Sequence, residues 1–573
     1  MKYVGIDIGD GESAVTVVSE DGAMIPSVVT LGNVKSIRSI VGDLKGTPVI
    51  GDQVVLNHTV TNRSARFKSK FLFDMDGRED LRRFAEGLYT LLKKSIHDPE
   101  LKIALGCPAE WSQEARERYA AIVSSVGFPN LYTVSESRAA YLYAHYSNEL
   151  NLSPEQLARP TLVIDIGSST LDYAYIVDGR ERDIGVFGEK QLGGGILDAL
   201  ILDYAVEQSP KCNEIRKVFA TSSSWRSYCE LIARQVKETY FLAEEKYVEE
   251  PCRDIAPIYA NGANYIPLQI AVSGNIINSL LDKKIPELDD RSFRETLENS
   301  LNRAKSITSE NPVELMILTG GASRMAFFQR MCAACFADAK HTLCPEPEFS
   351  IARGLGIAAR TDDKLSQFRS KIRAYFESGA IDQEVAGNLP YLLPEYVACV
   401  IKILQNEALI KALREYRGDT SDKSKLEVYL KKATEVFLAD KDMTEDADKL
   451  INAWVGAHLQ HVQKRLDQIC DEFHIDRADM SLVKIHGQVE VPQIKIPLIV
   501  RLLVGTERAP KLREAIYRWS YASPFLRNQM RNLLKTQLAD PQGDFARALR
   551  QSIVEQLQLQ IDEQTKKVEI QIN

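Results

Sequence analysis

Three short segments in a fixed order constrain the fold of this chain more than any other feature. They are GIDIGDGESAVTV (5–17), LVIDIGSSTLDYAYI (162–176) and MILTGGASR (316–324). In the first two, an apolar strand ends in Asp, and a Gly turn leads through a small polar loop into a second strand; in the third, an apolar strand runs into Gly-Gly and a helix. Glycine lets backbone N–H groups approach phosphate oxygens without an intervening Cβ. The repeat therefore predicts two lobes that close on one nucleotide.

Length and charge narrow the class of protein. A chain of 573 residues is too long for one core and predicts two or three domains. The net charge of −8 argues against nucleic acid as a partner, because no large basic field would collect phosphates. We see no secretion signal, and no run of about 18 apolar residues predicts a membrane span. The odd count of nine cysteines fits a reducing, cytoplasmic location better than a disulfide framework.

Hydrophobic periodicity divides the chain into a mixed first part and a helical second part. In the first part, Asn261-Gly262 between strand-like flanks predicts a β-hairpin. After about residue 362 helical spacing dominates, although alternating residues at 482–491 and 568–572 predict two strands that pair. The predicted helices are 78–98, 112–126, 224–247, 291–306, 364–378, 395–416, 424–438, 445–475 and 509–561 with breaks.

The three segments, taken together, resemble the actin, hexokinase and heat-shock ATPase superfamily. The intervening sequence resembles the nucleotide-binding domain of DnaK-type (70 kDa) heat-shock chaperones, most clearly in GCPAEWSQEARERYAAIVSSVGFPNLYTVSESRAAYLYAHY (106–146). Further similar segments are RFKSKFLFD (66–74), QLGGGILD (191–198) and EPEFSIARGLGIAA (346–359). The resemblance covers residues 1–362. It implies an α/β, two-lobed actin-like ATPase fold with ribonuclease-H-like duplicated lobes, lobe I at about 1–160 and lobe II at about 161–362, that binds ATP or ADP with Mg²⁺.

The two polar loops supply the predicted phosphate cradle, and the Asp at the end of each first strand supplies the predicted metal site. Asp7 and Asp165 are expected to hold Mg²⁺ through its water shell, since this ion usually keeps several waters. The second loop continues into Thr170, which we count among the catalytic residues. The cradle residues are Gly9, Asp10 and Gly11 in the first loop and Gly167, Ser168 and Ser169 in the second.

Further site residues follow from the resemblance alone. It implies that Lys70 stabilises the γ-phosphate, with Lys68 as a rival two positions away, and that Glu136 orients metal and water. It implies nucleoside or phosphate contacts from the residues that match the family's later segments. Those residues are Gly193, Gly194, Lys237, Gly320, Gly321, Ser323, Arg324 and Glu348.

The chain departs from the family pattern at two places. Asp10-Gly11 stands where the chaperones carry a Thr pair, and an Asp beside a triphosphate is unfavourable unless a cation compensates. Residues 363–573 show no β-sandwich pattern and predict a helical interaction domain that binds a protein partner or client, with a co-chaperone as a further partner. Aromatic residues there serve either a core or an interface, namely Trp454, Tyr517, Trp519, Tyr521 and Phe525.

The sequence favours a cytoplasmic DnaK-like ATPase, slow or stimulated by a partner, whose nucleotide state controls binding of a protein through the second part. Three alternatives use the same fold and motifs. They are an actin-like filament or scaffold protein, a small-molecule kinase, and a pseudo-ATPase that binds nucleotide as a structural or regulatory ligand. The Asp10-Gly11 departure is the main support for the last of these.

Overall fold

The computed structural model describes residues 1–405, 441–482 and 532–568, apart from short gaps. These gaps are residues 24, 58, 73, 99, 110, 148, 149, 151, 178, 179, 183–187, 190, 261–263, 533, 534 and 537. The chain forms two compact units, Met1–Asp362 and Asp363–Asn573. Its described part is a mixed α/β protein.

The first half of the first unit is built on a sheet whose two central strands carry the first motif and a parallel neighbour. The strands are β1 (Lys2–Ile8), β2 (Glu12–Ser19), β3 (Ser27–Val28), β4 (Ser36–Arg38), β5 (Ile40–Leu44), β6 (Thr47–Ile50), β7 (Thr61–Ala65), β8 (Leu101–Cys107) and β9 (Leu131–Ser135). The sheet order is β3-β2-β1-β8-β9, with β4 beside β2, while β5, β6 and β7 form a small antiparallel sheet. β1, β8 and β9 are parallel to one another.

Five helices accompany these strands. They are α1 (Asp52–Leu56), α2 (Phe67–Lys70), α3 (Met75–Ser95), α4 (Gln113–Ser124) and α5 (Glu136–Tyr146). The predicted helix at 112–126 is confirmed, and Ser112 caps it because its Oγ accepts the N–H of Ala115 at 3.3 Å. The predicted helix at 78–98 begins earlier, after Asp74, whose carboxylate accepts the N–H of Asp76.

The second half repeats the sheet. Its elements are α6 (Pro154–Leu157), β10 (Thr161–Ile166), β11 (Leu171–Val177), β12 (Arg180–Arg182), β13 (Gly188–Glu189), α7 (Gly194–Gln208), α8 (Cys212–Thr221), α9 (Ser223–Leu242), β14 (Cys252–Ala260), β15 (Asn264–Val272), α10 (Gly274–Leu281), β16 (Lys284–Ile285), β17 (Arg291–Ser292), α11 (Phe293–Ile307), β18 (Leu315–Thr319), α12 (Ala326–Cys335), β19 (Lys340–Leu343) and α13 (Pro347–Glu377). The order β12-β11-β10-β18-β19 matches that of the first sheet, and β10, β18 and β19 are again parallel. The predicted hairpin is confirmed in the antiparallel pair β14–β15, whose Asn261-Gly262 turn lies outside the described residues.

Each sheet has its own apolar core, and a third core joins the two. Alternation along a strand explains this, because successive side chains point to opposite faces. In β1, Val4 and Ile6 enter the core of the first half, whereas Tyr3 enters the joint core with α5 and α13. Gly5 lets α13 approach closely, since a Cβ there would lie 2.2 Å from the carbonyl oxygen of Ala352.

The second unit is helical wherever the structure describes it. Besides the end of α13, its helices are α14 (Ala380–Gln405), α15 (Lys441–His458), α16 (Gln460–Phe473) and α17 (Asp544–Lys567). Trp454 is a core residue there, because it is 5% exposed and its indole N–H donates to the carbonyl oxygen of Asn388. Several predictions lie outside the described residues: the strand residues 483–491 and 569–572, the helical segments 406–440 and 509–531, and the aromatic residues Tyr517, Trp519, Tyr521 and Phe525.

Candidate functional site

Two equivalent hairpin turns bring the predicted loops to corresponding edges of the two sheets. In the first turn, the N–H of Gly9 donates to the carbonyl oxygen of Glu12 at 3.0 Å. In the second, the N–H of Gly167 donates to the carbonyl oxygen of Thr170 at 3.1 Å. The two motifs are therefore the same structural device used twice.

The equivalence does not extend to charge. Asp165 lies opposite Asp172 across the second hairpin, whereas Asp7 lies opposite Ala14 across the first. Directly opposed residues of an antiparallel pair project from the same face of the sheet. At this pair of positions, the second hairpin thus presents two carboxylates and the first presents one.

A buried group of three carboxylates forms beside the second hairpin. Glu136, Asp165 and Asp172 each bring one oxygen to within 4.8 Å of the others. The Thr170 hydroxyl donates to Asp172 at 2.7 Å, while Asp165 Oδ1 accepts no hydrogen bond from any residue that the structure describes. Carboxylate oxygens are hard ligands of the kind that Mg²⁺ prefers, so this group fits such an ion.

The cation of the site is Lys68, and not Lys70. Lys68 is 7% exposed, and its Nζ lies 2.5 Å from Glu136 Oε1. Burial is the largest single influence on the pKa of Lys68 and lowers it, but Glu136, Tyr119 and Asp7 together outweigh burial and hold the pKa well above its ordinary value. Lys70 is exposed and donates to the carbonyl oxygen of Ala65 at 3.3 Å. Of the two lysines considered from sequence, Lys68 is therefore the one that contacts the buried carboxylates in this structure, and the role of Lys70 at a γ-phosphate stays a prediction.

Burial disfavours the ionised forms of Asp7 and Asp165. It raises the pKa of Asp7 to about 7, although Lys68 opposes the rise and Glu136 adds to it. Burial and the adjacent Asp172 likewise hold the pKa of Asp165 well above its ordinary value. A bound divalent cation would reverse both shifts, because it stabilises the ionised carboxylates.

The Gly193-Gly194 segment packs its backbone directly against the second loop. A Cβ at Gly193 would lie 2.5 Å from the carbonyl oxygen of Ser168, so no other residue fits there without a shift of the backbone. The N–H of Gly194 donates to the carbonyl oxygen of Gly167 at 3.0 Å. These predicted residues thus come together, and they hold the loop rigidly.

Lys237 supports the same segment from α9. Its Nζ donates to the carbonyl oxygen of Gly194 at 2.8 Å and lies 2.7 Å from Asp198 Oδ1. Both side chains are less than a tenth exposed. Lys237 is therefore a buried positioning residue of the Gly193-Gly194 segment in this structure.

The third motif turns sharply beside Asp165. Gly320 has a φ of 82°, and a Cβ there would lie 2.4 Å from Asp165 Oδ1. The Ser323 hydroxyl donates to the carbonyl oxygen of Gly320 at 2.7 Å. Arg324 and Glu348, which were predicted independently, form an ion pair at 2.8 Å. A Cβ at the neighbouring Gly321 would meet nothing within 4 Å.

Asp10 joins the first loop to two other segments. Its Oδ1 accepts the N–H of Ser69 at 3.1 Å, and its Oδ2 accepts the hydroxyls of Ser69 and, at 2.7 Å, of Ser169. Two ion pairs also connect the halves of the first unit: Arg234 with Glu12 at 3.2 Å, and Arg66 with Glu230.

Sequence reasoning did not single out Asp172, and it ranked Lys70 above Lys68. The signal for Asp172 was available, since a tight turn after Asp165 fixes the register that places the two residues opposite each other. The choice between Lys68 and Lys70 depends on which side of the short helix α2 faces the sheet.

No protein-family model matches the chain. Among the residues that the structure describes, every helix is too short or too polar to cross a bilayer.

Proposed function

We propose that the protein binds ATP and hydrolyses it to ADP and phosphate, as a divergent DnaK-like ATPase of the cytoplasm. One observation carries the proposal: a buried lysine and several carboxylates lie within electrostatic reach of one another where two equivalent hairpins present their loops. The carboxylates are Asp7, Glu136, Asp165 and Asp172, and Lys68 is the lysine. A buried excess of negative charge is costly, and a function that recruits Mg²⁺ would offset that cost.

The finer fold assignment belongs to this proposal. Two sheets of identical strand order, each with the same hairpin and two parallel neighbours, support a two-lobed actin-like fold with ribonuclease-H-like lobes. We propose lobe I at about 1–160 and lobe II at about 161–362. The loops of the two hairpins then face the phosphates from opposite sides, with the backbone N–H groups of Gly11 and Ser168 as donors.

The residues of the site take separate roles. Asp7 and Asp165, joined by Asp172, would hold Mg²⁺ through water, and that ion would neutralise charge on the phosphate oxygens. Lys68 neutralises charge that develops on the γ-phosphate, in the role first expected of Lys70. Glu136, held by Lys68 at 2.5 Å, orients the attacking water and accepts a hydrogen bond from it. Thr170 fixes Asp172 through its hydroxyl.

The nucleoside would lie against the third motif. Arg324 offers a flat guanidinium surface for the base, and its ion pair with Glu348 keeps that surface in one orientation. Gly320, Gly321 and Ser323 form the adjoining turn. Lys237 acts indirectly in this scheme, because it stabilises Gly194 rather than reaching outward.

The output of the ATPase is proposed to be binding and release of a protein partner through residues 363–573. The described part of this unit is built from helices, and that part contains no β-sandwich of the kind that grips peptides in orthodox chaperones. A comparison of proteins captured by the full chain in the nucleotide-free, ADP and ATP states tests this part. Capture that is identical in all three states would refute nucleotide control.

The ATPase itself is tested by turnover of Mg²⁺–ATP in wild type, Lys68→Ala and Lys70→Ala. We expect loss of turnover with the first variant and near wild-type turnover with the second. Equal turnover in all three would remove Lys68 from the reaction.

A pseudo-ATPase is the second candidate, and Asp10 favours it. Its carboxylate takes hydrogen bonds from both sides of the proposed phosphate site. If Mg²⁺–ADP and Mg²⁺–ATP bind but no phosphate is released, with or without captured partners, the pseudo-ATPase replaces the ATPase.

A further inference from the structure

The first loop carries the carboxylate of Asp10 at a place where the proposed function requires a phosphate group. Asp10 gathers three donors from two separate segments: the N–H and hydroxyl of Ser69, and the hydroxyl of Ser169. N–H and hydroxyl donors that converge from several segments are a general means of holding an oxyanion. Here the oxyanion is a side chain of the same protein.

The position of these donors identifies which phosphate is affected. Ser69 directly follows Lys68, the buried cation of the site, and Ser169 directly precedes Thr170, which holds Asp172. Asp10 therefore bridges the lysine segment and the second loop. Under the proposed function, this is the end of the site where the terminal phosphate of a triphosphate would lie.

The same loop is held tightly against the second half of the unit. A Cβ at Gly11 would lie 2.7 Å from Arg234 Nη1 and 3.0 Å from Ser168 Cβ. Arg234 is fixed in turn by Glu12 at 3.2 Å and Glu238 at 2.6 Å. These contacts limit movement of the loop backbone next to Asp10.

We infer that Asp10 is a specificity-determining residue that makes the site prefer a nucleoside diphosphate to a nucleoside triphosphate. The inference rests on the proposed function and deepens it. A γ-phosphate must displace the carboxylate from three donors and must then lie beside its negative charge, whereas a diphosphate meets neither cost. Release of the terminal phosphate, rather than its binding, is thereby favoured.

The test is calorimetric titration of the full chain, in excess Mg²⁺, with ADP and with the β,γ-imido analogue of ATP. We expect wild type to bind ADP at least about tenfold more tightly, equivalent to about 1.4 kcal/mol. Asp10→Asn keeps the shape without the charge, and Asp10→Ser also shortens the side chain. Both should tighten binding of the ATP analogue at least about tenfold and change ADP affinity by less than about threefold.

Asp21→Asn is the matched control, because it removes an exposed carboxylate of the same unit, in the turn after β2. It should leave the ratio of the two affinities unchanged. Equal affinities in wild type, or a ratio that both Asp10 variants leave unchanged, would overturn the role of Asp10 while leaving the proposed function intact. Binding of neither nucleotide by any of the proteins would overturn both.

Discussion

Lys68 and Lys70 differ in burial although they lie only two residues apart. They belong to the four-residue helix α2, and residues two apart on a helix do not share a face. Lys68 is consequently buried against Glu136, while Lys70 points outward. Removing one member of a buried ion pair leaves the other charge uncompensated, which is strongly destabilising.

We therefore predict that Lys68→Ala lowers the free energy of unfolding by about 3–5 kcal/mol. The double variant Lys68→Met/Glu136→Gln should recover a large part of that loss, because no charge is left unpaired. Lys70→Ala is the matched control, and we expect a change within about 0.5 kcal/mol. Denaturant titration measures all three, and equal losses for the two lysines would contradict the burial of Lys68.

Asp7 gives a pH dependence with a definite sign. Its pKa of about 7 in the folded protein exceeds the ordinary value of 3.8, so the folded chain binds a proton that the unfolded chain releases. In EDTA, this group's contribution to stability is complete below about pH 4 and is lost as pH rises to about 7. The slope is at most about 1.4 kcal/mol per pH unit.

We predict that Asp7→Asn flattens this part of the pH profile, measured by denaturant titration in EDTA between pH 4 and 8. Asp21→Asn should not alter it. Added Mg²⁺ should stabilise the wild type most at pH 8, because the carboxylates are then already ionised and the metal need not displace a proton. A profile that is the same in wild type and Asp7→Asn would show that Asp7 is not the group responsible.

At the scale of elements, the hairpins and long helices could be predicted from sequence because they depend on local patterns. Alternation, turn residues and the Ser112 cap are all encoded within a few residues. The pairing of Asp172 with Asp165 was also open to prediction, because the tight turn between them fixes the register of the two strands. The contact of Asp10 with Ser69 joins residues far apart in sequence, and no local pattern encodes it.

The crossing of α13 over α5 supplies an element-scale prediction. A Cβ at Gly354 would lie 1.8 Å from the carbonyl oxygen of Ala139, so Gly354→Ala must push the two helices apart. We expect a loss of at least about 1–3 kcal/mol, as for overpacking in general. Gly387→Ala is the control, since a Cβ there meets nothing within 4 Å on α14 and should stabilise by about 0.5–1 kcal/mol. Thermal and denaturant unfolding of both variants measure the difference, and equal effects would contradict the close crossing.

At the scale of the whole molecule, the metal and the nucleotide should act together on stability. We predict that Mg²⁺–ADP at about 100 times its dissociation constant stabilises the full chain by about 2.7 kcal/mol. In Asp172→Asn the dependence of this gain on Mg²⁺ should be largely lost, because one of three converging carboxylates is neutral. Asp338→Asn, an exposed carboxylate after α12, should behave as wild type. Thermal unfolding with and without EDTA gives the comparison, and an unchanged Mg²⁺ dependence in Asp172→Asn would exclude that residue from the metal site.

The unequal hairpins have a consequence for the direction in which a ligand can lie. A duplicated frame with equal charges on both hairpins would not distinguish between the two opposite orientations of an elongated ligand. Ala14 faces Asp7 where Asp172 faces Asp165, so the two hairpins differ in charge at this pair of positions. Under the proposed function, a chain of phosphates and its counterion would therefore meet different charges in the two orientations. This difference at a single position would thus favour one orientation of the ligand over the other.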